Sequence, residues 1–102
     1  MVHPLPVQTA DKSKKEQIKQ KIRSVLSVDQ LALILRAADD TKVIVARSLN
    51  SVFKTIVPYL STPYQDEISY DSMRSKSYSV ETRDKEIVMQ ALQQMIQKIK
   101  EY

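Results

Sequence analysis

Glycine is absent from all 102 residues, although an average globular composition supplies about seven per hundred. Phosphate-cradling loops, Asn-Gly hairpins, dinucleotide fingerprints and calcium loops all depend on glycine's access to positive φ. A chain without it is therefore a poor candidate for any of them. What remains is rich in Leu, Ile, Val, Gln, Lys and Ser in long stretches of 3.6-residue period, the pattern of amphipathic helices. The expected fold is all-α: a small four-helix bundle with an ordered, Tyr/Ser-rich connection before a long C-terminal helix.

The 42% hydrophobic and 27% charged content is that of a folding domain rather than a disordered chain. The length fits one core. Residues 1–9, with Pro4 and Pro6 and no periodicity, read as a flexible lead-in, and residues 10–102 as a single helical domain. No apolar run approaches the ~20 residues of a membrane span. The start, Met-Val-His-Pro-Leu-Pro-Val, lacks the basic and apolar regions of a signal peptide. A soluble, cytoplasmic protein without membrane contact is expected.

Four helices can be placed from their apolar spacing. The first, Ala10 to Leu26, has a narrow inward stripe of Ile18, Ile22, Val25 and Leu26. Ser27 then reads as a helix cap, with Gln30 three residues on to return the bond, and opens a second helix that is apolar nearly all round (Leu31, Leu33, Ile34, Leu35, Ala37, Ala38). A break near Asp39 is preferred, with Asp39 or Asp40 capping a third helix over about Thr41 to Ile56. One continuous helix remains the alternative, because the apolar register passes through Thr41, Val45, Leu49, Val52 and Ile56 without a slip. Pro58 kinks or ends that helix. Between Ser61 and Ser79, a short helix over Tyr70 to Lys76 and a two-stranded wing are both open. In the last helix, capped by Thr82, Val88, Leu92, Met95, Ile99 and Tyr102 recur at steps of four and three, the seam of a coiled coil or a bundle edge.

Catalytic material is scarce. There is no cysteine, and the only histidine, His3, lies in the lead-in. Disulfides and thiolate metal sites are excluded outright. Adjacent carboxylates such as Asp39 and Asp40, or Asp66 and Glu67, point about 100° apart on a helix and do not converge. No enzyme activity, metal or cofactor is expected.

Two contact readings remain. In the first, the chain is a small adaptor or regulatory protein acting through protein contact as a homodimer. Val88, Leu92, Met95 and Ile99 serve packing or dimerisation, while Tyr70, Arg74, Lys76 and Tyr78, in a segment mixing aromatic, cationic and hydroxyl groups, face a protein partner. In the second, it is a DNA-binding, winged helix-turn-helix-like regulator dimerising through its last helix. Residues 12–23 hold six basic side chains against Glu16, a net +5 in a chain of +4. Lys12, Lys15, Lys19 and Arg23 form one row on the first helix, and Lys42, Arg47, Asn50 and Lys54 on the third supply types that contact phosphates and bases. The motif itself fits poorly: with Leu31 and Ala32 as its early Leu-Ala pair, the tight-turn position that favours glycine falls on Arg36.

Overall fold

The computed structural model describes residues 20–102. These residues form four α-helices, α1 (Val28–Asp40), α2 (Leu49–Ile56), α3 (Tyr70–Ser77) and α4 (Thr82–Glu101). A 3-10 turn, Val57–Tyr59, follows α2. Two short strands, β1 (Ile22–Arg23) and β2 (Leu60–Ser61), pair in parallel with Ile22 opposite Leu60 and Arg23 opposite Ser61.

Local chemistry explains most boundaries. Ser27 and Gln30 form the expected capping box: Ser27 Oγ accepts the Gln30 N–H at 3.3 Å, and Gln30 Oε1 accepts the Ser27 N–H at 3.0 Å. Two orphan donors of α1 are thereby satisfied. Ser48 and Ser69 cap α2 and α3 in the same one-sided way, accepting from the backbone N–H of Ser51 and Ser72. Pro58 lies in the first turn of the 3-10 segment, where its missing N–H is not needed.

Several expectations are corrected. The first helix does not continue to Leu26. Ile22 and Arg23 are extended, Ser24 N donates to Ser61 O at 2.8 Å, and Ser24 Oγ accepts the Leu26 N–H at 2.9 Å. Such local side-chain bonding offers the backbone an alternative to helix. The remainder of that predicted helix lies outside the described residues. The break near Asp39 exists, but the third helix begins at Leu49 rather than Thr41, and Asp39 and Asp40 end α1 instead of capping α2. The closing structure is a Schellman motif, in which Val43 N donates to Ala38 O at 2.9 Å and Lys42 N to Asp39 O at 3.2 Å. Its left-handed position, usually glycine, is Lys42 at φ 64°. Thr82 is the first helical residue of α4 and caps nothing; Glu81 holds the cap position without a side-chain bond. In the Ser61–Ser79 segment the short helix forms, as α3, and β2 pairs with β1 rather than folding into a wing.

The core lies where α1, α2 and α3 meet. Val28, Ala32, Phe53, Val57, Ile68 and Met73 are buried together, with Leu31, Leu35, Leu49, Leu60 and Tyr70 packed around them. α3 is central although it is the most polar helix, because Met73 enters the core and Ser77 is fully buried, its hydroxyl donating to Arg74 O at 2.7 Å. Thr62, also buried, accepts the N–H groups of Tyr64 and Gln65. Among the described residues no buried side-chain polar atom lacks a partner.

Candidate functional site

The long helix α4 joins the rest through its first half. Gln30 Nε2 donates to Asp84 Oδ1 at 3.0 Å, which ties the start of α4 to the start of α1. Two turns further on, Leu92 shares a pocket with Ile34, Ala37, Ala38, Thr41 and Val43 at the end of α1. The two helices therefore run side by side in the same direction, and α1 stops where Leu92 sits. Residues 93–101 continue as helix beyond that point, on the order of 13 Å at 1.5 Å per residue.

The predicted seam divides accordingly. Val88 is 4% exposed, Leu92 37%, Met95 57% and Ile99 63%. Packing is thus the role of Val88, while Met95 and Ile99, with Ile96 and Tyr102 beside them, form an exposed apolar stripe that none of the other described residues covers. The pocket at its root, about 370 Å³, has Thr41 as its one polar side chain, and that hydroxyl donates to Ala37 O at 2.8 Å. Sequence reasoning missed the α1 part of this surface. The available signal was the small pair Ala37-Ala38 on a helix apolar nearly all round.

The four residues expected to face a protein partner are largely used inside the chain. Tyr70 is half-buried against the core with Lys54 Nζ 5.0 Å from its ring centroid. Lys76 pairs with Asp29 at 3.2 Å. Tyr78 is exposed, and the Arg36 guanidinium lies 5.6 Å over its ring while donating to Ser77 O at 2.8 Å. Arg74 is exposed on α3.

No family model, curated protein or solved structure matches this chain.

Of the residues predicted to contact nucleic acid, Lys12, Lys15 and Lys19 lie outside the described residues. Arg23 is exposed on β1, not on a helix. Lys42 and Arg47 belong to the 41–48 loop rather than to a helix, and Asn50 and Lys54 sit one turn apart on α2; all four are exposed. Lys54 is also the cation over Tyr70, so the structure brings together one residue from each predicted set. The loop between α1 and α2 spans eight residues, against the three or four of a helix-turn-helix. Among the described residues no group of three His, Cys, Asp or Glu side chains converges to hold a metal, and no helix is long and apolar enough to cross a membrane.

Proposed function

We propose that this chain is a non-enzymatic regulatory or adaptor protein that works by protein contact, a small helical bundle assembled as a homodimer through α4. The observation that carries the reading is the continuity of the α4 stripe from buried Val88 to bare Met95 and Ile99. An apolar face of this kind marks an interaction site rather than ordinary surface, and a second copy is the commonest cover for it. Arg74 and Tyr78, at the surface of α3 and its C-terminal end, are the residues left free to meet a different protein. Light scattering tests the dimer: the expected mass is twice the 11.7 kDa of the chain. Ile99→Asp should return the monomer mass with unchanged helicity. A monomeric parent at about 100 µM, where micromolar association is complete, removes the reading.

A DNA-binding regulator is the second reading, and one observation favours it. Residues 41–65 carry Lys42, Arg47 and Lys54 without a single carboxylate, and the three cations and Asn50 are all exposed. Polarisation titrations with a labelled duplex should then give log K falling with log salt by about 0.9 for each phosphate neutralised. A flat salt dependence, or no binding at low salt, removes it.

A further inference from the structure

An overhang and a pocket lie next to each other on this molecule. The overhang is residues 93–101 of α4, with Met95, Ile96 and Ile99 exposed along it; the pocket, about 370 Å³, is the groove between α1 and α4 at its root. We propose that two copies pair antiparallel through α4, each overhang lying back across the α1–α4 groove of the other copy. The partner's Ile99 then enters the pocket beside Leu92, and the twofold axis crosses α4 between Met95 and Ile96. This rests on the dimer reading above and goes further by fixing its direction and its second wall.

Three observations select this arrangement. A parallel pair has only the overhang to use, because own α1 already covers the apolar side of α4 around Val88. That leaves fewer residues than the roughly 12–15 at which even good helices become stable alone, and less than the several heptads of a lasting coiled coil. The antiparallel pair adds the groove. Val43, Leu92, Met95, Ile96, Ile99 and Tyr102 together expose on the order of 700 Å², close to the ~800 Å² per partner of a standard specific interface.

Charge is the third. A parallel pair sets Lys98 and Lys100 of both copies side by side. The antiparallel pair carries them toward the end of the other copy's α1, where Asp39 and Asp40 sit at the negative pole of a helix with no basic residue in its last turn. Arg36 only grazes Asp40 at 4.0 Å, being committed to Ser77 O, and Lys42 follows α1 in the loop. Among the described residues Asp39 has no cation within 4.0 Å. Lysines from a second copy meet an acidic end that the described residues leave underused.

The absence of cysteine makes the test direct, since Tyr102→Cys gives a single attachment point for a spin label on the full chain. In the antiparallel dimer the two labelled positions are separated by 13 helical residues, about 20 Å along the axis. In a parallel dimer they lie within about 10 Å, the interaxial distance. Ala37→Glu supplies an independent readout, because it alters an exposed groove position on α1 and leaves α4 intact. It should raise the dimer dissociation constant by at least about tenfold, with helicity retained in circular dichroism. A dimer with the short label distance, or one indifferent to Ala37→Glu, overturns the antiparallel arrangement while leaving dimerisation through α4 standing. A monomeric parent chain, with Tyr102 in place, overturns both.

Discussion

Lys42 shows what a chain without glycine does at a helix end. The Schellman bonds from Val43 to Ala38 and from Lys42 to Asp39 require one residue at positive φ, and a lysine supplies it at φ 64°. The left-handed conformation costs a residue with a Cβ roughly 1–2 kcal/mol, whereas glycine gives back about 0.5–1 kcal/mol through its larger unfolded-state entropy. The steric term wins. Lys42→Gly should therefore stabilise the fold by about 0.5–1 kcal/mol, read as a higher urea midpoint with an unchanged slope. At the other end of α1, Ser27→Ala breaks the capping box, and the expected loss is about 1 kcal/mol in the same measurement. The box was legible in the sequence because its bonds span only three residues. Lys42 was not, since no local pattern marks a lysine that will be asked for positive φ.

α3 is the element on which sequence and structure differ most in emphasis. Tyr70–Ser77 holds only Tyr70 and Met73 as apolar residues, too few for periodicity to separate a helix from a wing. Its position is fixed by what surrounds it: Met73 fully buried in the core, Ser77 fully buried with its carbonyl held by Arg36, and Lys76 paired with Asp29. The ion pair, partly exposed on both sides, contributes at most about 1 kcal/mol. Removing a buried methionine side chain costs about 2–5 kcal/mol. Met73→Ala is thus expected to lower stability by that larger amount, and Lys76→Ala by no more than about 1 kcal/mol, both measured by urea unfolding. A larger effect from Lys76 would mean that α3 is held electrostatically. Tyr70 and Lys76, which the sequence pattern assigns to an external partner, are the ones this packing consumes. A tyrosine or lysine suits an interface and a half-buried intramolecular contact equally well.

At the level of the whole molecule, α4 is attached along its first half and, among the described residues, free along its second. If a second copy covers the free half, folding and association are linked, and the midpoint of thermal unfolding must rise with protein concentration. Calorimetry or circular dichroism across a hundredfold concentration range should show that rise for the parent and none for Ile99→Asp. A concentration-independent midpoint in both would place the stripe in a different contact. That Val88, Leu92, Met95 and Ile99 share one face of α4 was legible, because steps of four and three need no tertiary information; that only Val88 among them is buried was not. The groove was not. Ile34, Ala37 and Ala38 lie more than fifty residues from Leu92 in the chain, and only the side-by-side course of α1 and α4 brings them to one pocket.

The sequence alone determined a mostly helical chain, the start of α1, the place where α2 stops before Pro58, and the apolar face of α4. Each follows from bonds or spacings within one or two turns, and these operate whatever the rest of the chain does. Tertiary structure decided the end of α1 at Asp40, the strand pairing that takes Ile22 and Arg23 out of helix, the burial of a polar α3, and the point along α4 at which cover runs out. Those outcomes depend on which distant surfaces meet, and hydrophobic burial rewards any surface that meets another, without regard to its position in the sequence.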